Sequence, residues 1–163
     1  MTDNVLDFAV IGAGMAGASV AYRLAQKGAS VIVLERESQP GYHSTGRSAA
    51  MFMESYGTDQ IRALTRASRG FYTNPPEGFC TNELLPARDV LYVGQHGQQQ
   101  LLDDALAMYL KDGLEAEMIS AARAKEMVPV LDEAKLIGAV HDKAATDIDV
   151  AELHQGFLRG MRE

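Results

Sequence analysis

Two short apolar runs, separated by a glycine cluster and a stretch of helical period, open the chain. Residues 5–11 are almost wholly apolar and stop at Gly12, as expected of a strand buried on both faces of a parallel sheet. Over residues 15–27 the larger apolar side chains Val20 and Leu24 recur one turn apart, and Gly28 stands where a left-handed cap closes a helix. Residues 30–35 hold four consecutive apolar positions, Val31 to Leu34, before Glu35, and predict a second strand parallel to the first. Together these three segments predict one βαβ unit.

The pattern then changes. Residues 36–55 lack a clear period and contain Pro40, Gly41 and Gly46, which predicts a long loop. Thr58 can cap a helix running to about Tyr72, with Ile61, Leu64, Ala67 and Phe71 on one stripe and Arg62, Arg66 and Arg69 on a solvated face. Pro75 and Pro76 break the chain, residues 89–93 predict a strand ended by Gly94, and Leu101, Leu102, Ala105, Leu106 and Tyr109 mark a further helix. Ser120 can cap a short helix that stops before Pro129, and residues 136–141 predict a strand. Asp149 can cap a last helix whose apolar positions Val150, Leu153, Phe157, Leu158 and Met161 run to the end of the sequence without a closing strand. The fold class this predicts is α/β: a Rossmann-like βαβ unit with the beginning of a second, α+β domain. The expected division is 1–83 for the first part of a cofactor domain, 84–148 for the start of a substrate domain, and 149–163 for a helix returning to the first.

Composition narrows the function. The 163 residues are 47% hydrophobic and 23% charged, enough apolar mass for a packed core. The net charge of -7 repels polyanions, so nucleic acid is not expected as a partner. Cys80 is the single cysteine. No internal disulfide and no zinc-spaced Cys/His cluster follow, no metal is expected, and a reducing cytoplasm is the expected location. Residues 1–4 carry no cationic segment, and the apolar stretch from Phe8 to Tyr22 is too short and too glycine-rich for a membrane span.

Gly12-Ala13-Gly14-Met15-Ala16-Gly17 is a G-x-G-x-x-G sequence placed between strand and helix. A pyrophosphate needs backbone N–H groups at a helix start, and residues without a Cβ let the main chain approach it closely. Gly12 and Gly14 meet that need, Gly17 lets the helix lie tightly on the strand, and Glu35 is placed to accept hydrogen bonds from ribose hydroxyls. This much fits either a nicotinamide or a flavin dinucleotide. Nicotinamide enzymes usually continue directly into another helix and strand, whereas here His43-Ser44-Thr45-Gly46-Arg47-Ser48-Ala49-Ala50 intervenes. Its hydroxyls, glycine and arginine offer donors for a second phosphate and for the polar edge of a flavin, which favours FAD.

The glycine sequence, Leu34-Glu35-Arg36 and Gly41-Tyr42 followed by that loop resemble the D-amino acid oxidase superfamily of FAD-dependent oxidoreductases, and within it the bacterial D-arginine dehydrogenases. Weaker agreement continues through residues 74–80, 128–131 and 147–156. The resemblance implies oxidation of the CH–NH2 group of a small amino acid substrate by hydride transfer to flavin, with an unidentified electron acceptor. It places FAD contacts on Gly12, Gly14, Met15, Ala16, Gly17, Glu35, Arg36, Ser44, Thr45, Gly46, Arg47, Ser48, Ala49, Ala50 and Met51, and a substrate contact on Tyr56. No catalytic residue is assigned. Met51 stands where the D-arginine dehydrogenases carry a histidine, and Val90 where they carry a glutamate, so a guanidinium-bearing substrate is not expected. The family's proteins are also longer, which implies that this chain corresponds to an N-terminal portion with no turnover of its own. A nicotinamide-dependent dehydrogenase and a truncated, non-catalytic nucleotide-binding fragment are the alternatives.

Overall fold

The computed structural model describes residues 5–162. Residues 1–4, read above for a targeting segment, lie outside them. In chain order the elements are β1 (Phe8–Ile11), α1 (Met15–Gln26), β2 (Val31–Leu34), β3 (Met51–Phe52), α2 (Asp59–Thr73), β4 (Val90–Gln95), α3 (Gln99–Lys111), β5 (Ala116–Ile119), α4 (Ala121–Met127), a 3-10 turn at Glu133–Lys135, β6 (Leu136–Asp142), β7 (Thr146–Asp147) and α5 (Val150–Gly160). The chain folds as two compact units. One comprises residues up to Ala50, Gly70–Pro86 and residues from Ile148 onward; the other comprises Met51–Arg69 and Ala87–Asp147.

In the first unit β1 and β2 pair in parallel, Phe8 opposite Val31 and Ile11 opposite Leu34, with α1 as the right-length crossover between them. This is the predicted βαβ unit. The larger apolar side chains that carry the helical period of α1 do not form its buried face: Val20 is half exposed, and the buried residues are Ala18, Ala21 and Tyr22. Small side chains face inward because α1 packs closely on its neighbours, α5 among them, and Tyr22 fills the remaining volume. Tyr22, Phe71, Phe79 and Phe157 form an aromatic cluster, with Phe71 and Phe157 stacked at 5.7 Å and Phe79 edge-on to both. Phe8, Ile11, Ile32 and Leu34 remain exposed, so the two strands are not buried on both faces within the described residues.

Two helix starts follow the predicted capping chemistry. The Ser120 hydroxyl accepts from the Arg123 N–H at 3.1 Å, and the Asp149 carboxylate accepts from the Glu152 N–H at 2.8 Å. Gly28 adopts φ +81° just past α1.

The second unit is built on an antiparallel sheet of order β4-β6-β5, covered by α3 through Leu102, Tyr109 and Val140. β4 continues through Gly94 to Gln95, with a register shift there, where the sequence predicted its end. β5 was not predicted: Ala-Glu-Met-Ile has no clean alternation, and its pairing with β6 forms the strand. β3, which lies within the segment expected to be loop, pairs antiparallel with β7. In α2 the expected orientation fails over the first turns, although Phe71 of the same stripe packs into the aromatic cluster. Ile61 and Leu64 are exposed, while the Arg62 side chain, 11% exposed, meets the Asp112 carboxylate at 2.8 Å and Arg69 meets Glu54 at 2.7 Å. Arg62 bridges two carboxylates, Asp112 through Nε and Asp59 through Nη2, so the polar face of this helix is tied to neighbouring segments rather than left to solvent.

Candidate cofactor-binding site

The site is assembled in the first unit, at the point where β1 gives way to α1. Gly12 has φ +91°, a left-handed conformation that makes the turn out of the strand, and its N–H donates to the Leu34 carbonyl at 2.7 Å. A Cβ at Gly17 would collide with the Gly12 carbonyl oxygen, so the third glycine sets how closely the helix returns to the turn. The first helical amide to find a main-chain acceptor is that of Ala18, on the Gly14 carbonyl at 2.9 Å. The Met15 N–H donates to the Thr45 hydroxyl at 2.9 Å. Among the described residues the amides of Gly14, Ala16 and Gly17 have no protein acceptor. Three free donors at the positive end of a helix make an anion cradle.

Ala13, buried at the centre of the loop, is held from two directions. Its N–H donates to Glu35 Oε2 at 2.8 Å, and its carbonyl accepts from His154 Nε2 at 2.7 Å. Glu35 Oε1 accepts from the Arg36 and Glu37 amides at 2.7 and 3.0 Å. The N–H groups of Glu37 and then Ala13 hold the Glu35 carboxyl below the ordinary glutamate range. Oε1 spends both lone pairs on those two amides, whereas Oε2 keeps one beside its bond to Ala13, which leaves the acidic group at the end of β2 able to accept from a ribose hydroxyl while it anchors the glycine loop.

The loop after β2 folds back on this cradle. Gly46 N–H donates to the Gly41 carbonyl at 2.8 Å, which brings Thr45 over the start of α1. Arg47 places its guanidinium 5.2 Å from the centre of the Tyr42 ring, and His43 Nε2 meets Glu37 at 2.9 Å. Arg36 is exposed and also paired with Glu37. Ser44, Gly46, Arg47, Ser48 and Ala49 are exposed, and Ala50 takes φ 56° with its carbonyl accepting from Ile148 N–H at 2.7 Å. A cleft of about 480 Å³ is lined by Gly12, Gly14, Met15, Ala16 and Gly17 on one side and by Ser44, Thr45 and Ser48 on another, with Tyr72, Ile148, Val150 and Leu153 as its apolar wall. That volume suits a cofactor-sized ligand. Met51 and Tyr56 belong to the second unit. Met51 is half-buried and pairs with Asp147 in β3, and Tyr56 is 69% exposed.

Sequence reasoning gathers the glycine loop, Glu35 and the hydroxyl loop, but does not single out His154. Nothing local singles it out, because its partner lies 141 residues away. Among the described residues no group of His, Cys, Asp and Glu could hold a metal ion, and no helix is long and apolar enough to cross a membrane.

A tight turn leading into a helix with free amides, with an acid at the end of the next parallel strand, defines a dinucleotide-binding protein. The chain belongs to the FAD-dependent oxidoreductase (DAO) family, whose model matches residues 7–163. Over 62 residues, 37% of this chain and 10% of the relative, it is 44% identical to the bifunctional protein of tRNA 5-methylaminomethyl-2-thiouridine biosynthesis from Thiobacillus denitrificans. Its fold is similar to that of glycine oxidase from Bacillus cereus, with TM-score 0.81 and 20% identity over 97% of this chain and 44% of that one. It is also similar to L-α-glycerophosphate oxidase from Mycoplasma pneumoniae with FAD bound, with TM-score 0.82 and 12% identity over 96% and 42% of the two chains. The chain thus spans less than half the length of these solved relatives. The family's cofactor is FAD, which decides against the nicotinamide alternative. The free amides, the Gly17 approach and the remaining acceptor capacity of Glu35 Oε2 fit the pyrophosphate and ribose of FAD.

Proposed function

We propose that this chain is the FAD-holding part of an amino acid oxidase or dehydrogenase that oxidises a CH–NH2 group. When bound, FAD supplies the two-electron acceptor for that oxidation. The protein's own part is to bind and orient. The amides of Gly14, Ala16 and Gly17 would hold the pyrophosphate, Glu35 the ribose hydroxyls, and residues from Ser44 to Met51 the polar groups of the flavin. Tyr56 faces the substrate. The reading is carried by one observation, the three amides left without a protein acceptor around a cleft of about 480 Å³.

The glycine oxidase and L-proline dehydrogenase folds that this chain resembles act, by their names, on amino acids without a cationic side chain. Val90 offers no carboxylate for a guanidinium, so we infer a substrate with a neutral side chain rather than D-arginine. Taken alone, these 163 residues are proposed to hold FAD weakly and to turn nothing over; residues 84–148 are the start of the substrate domain.

The test is anaerobic titration of the flavin-loaded, full-length protein with glycine, proline and a panel of D- and L-amino acids, following bleaching of the flavin band. Bleaching by a neutral amino acid and not by D-arginine is expected. Bleaching by D-arginine alone overturns the substrate class, and a protein that retains no flavin overturns the cofactor assignment. Replacing Gly14 by Val places bulk 3.2 Å from the Thr45 hydroxyl and over the pyrophosphate path, and is expected to abolish flavin retention in the same protein.

A further inference from the structure

His154 is 4% exposed, lies on α5, and is the buried polar side chain nearest the cofactor loop by contact. A carbonyl oxygen can only accept, so Nε2 carries the hydrogen in the 2.7 Å bond to Ala13 O. The ring is wedged rather than loosely placed. A Cβ at Gly41, whose φ is +78°, would stand 2.9 Å from His154 Cε1 and 3.2 Å from Nδ1. The hydroxyl loop can cross the histidine at that distance only because residue 41 is a glycine.

The consequence lies in the peptide plane. The Ala13 carbonyl and the Gly14 N–H belong to one planar trans peptide and point in opposite directions. Holding the carbonyl with a donor therefore fixes the direction of the Gly14 N–H, one of the three amides without a protein acceptor. A hydrogen bond to the oxygen also polarises the amide and makes its N–H the stronger donor. On the other flank Glu35 fixes the Gly12–Ala13 peptide through the Ala13 N–H. The two peptide planes that meet at Ala13 are thus locked by side chains from β2's end and from α5.

We propose that His154 is a positioning residue for FAD, which aims and strengthens the Gly14 N–H toward the pyrophosphate by donating its Nε2 hydrogen to the Ala13 carbonyl. This rests on the assignment of the cleft to FAD. Three variants of the flavin-binding, full-length protein separate the bond from the packing: H154Q, H154N and H154L. Glutamine places its amide donor near the position of Nε2, asparagine is one methylene shorter, and leucine fills space without a donor.

Dissociation constants for FAD, read from flavin fluorescence on reconstitution of apoprotein, are the measurement, with apoprotein melting temperature alongside. H154Q is expected within about threefold of the parent, and H154N and H154L weaker by about ten- to a hundredfold, the loss of a hydrogen bond serving a charged group. If H154L does not fold, the comparison of H154Q with H154N carries the same decision. Equal affinity in all the variants and the parent overturns the proposal, as does an equal fall in H154Q and H154N that tracks melting temperature. Parent protein that binds no FAD overturns instead the cofactor assignment on which it rests.

Discussion

The residues that matter most here are those with two duties. Glu35 is one, because the same carboxylate anchors Ala13 and stands ready for ribose. Its carboxyl is held below the ordinary range by the Glu37 and Ala13 amides, so the ionised form is the one the folded chain prefers. The stability it contributes is complete at neutral pH and is lost as pH falls through the ordinary glutamate range and below. Glu35→Gln is expected to lose less melting temperature than the parent as pH is lowered from about 5 to about 3, the interval below the ordinary glutamate range in which the parent's carboxylate takes up its proton. A steeper fall in the variant would contradict this assignment. Asp142 is a second such residue. At 2% exposure it accepts from Tyr109 at 2.9 Å and from the Ala144 and Ala145 amides, and burial pushes the Tyr109 phenol upward. Tyr109→Phe removes one donor from a buried carboxylate and is expected to cost about 1–3 kcal/mol in denaturant unfolding.

At the scale of elements, what the sequence revealed was what is decided locally. The strand-glycine-helix-strand run, the Ser120 and Asp149 caps and the Gly28 stop all depend on residues within a few positions of one another. Asp149→Ala is expected to destabilise the protein by about 0.5–2 kcal/mol, the usual worth of a cap, measured by chemical denaturation. What stayed hidden was decided at long range. β5 exists because β6 pairs with it, and α2 turns its arginines inward because Asp112 and Glu54 lie there. Helical period alone cannot report a carboxylate fifty residues away. Two arginines on this helix make a direct comparison. Arg62→Ala strips a nearly buried partner from Asp112 and is expected to cost about 1–3 kcal/mol, whereas Arg66→Ala, whose side chain is 37% exposed at 3.4 Å from the same carboxylate, is expected to cost well under about 1 kcal/mol in the same measurement.

At the scale of the molecule, the apolar side chains left on the β1-β2 pair set behaviour in solution. Phe8, Ile11, Ile32 and Leu34 lie exposed on a two-stranded parallel sheet, an arrangement that elsewhere is covered on both faces. The 163 residues by themselves are expected to bind a hydrophobic dye and to self-associate with rising concentration, as read by light scattering after gel filtration. A monodisperse monomer that leaves the dye dark would show that this surface is protected. The cofactor site was legible to the extent that phosphate chemistry is written in glycines; its support from α5 was not, since no spacing rule joins Ala13 to His154.

That last contact has a temporal meaning. Loop and histidine are 141 residues apart, so a chain emerging from the ribosome displays its glycine turn long before the brace for it has been made. The turn waits, with one peptide plane still free to rotate, until α5 docks. Flavin capture then becomes a late event in biogenesis, and added FAD is expected to leave early collapse unchanged while accelerating only the final phase of refolding.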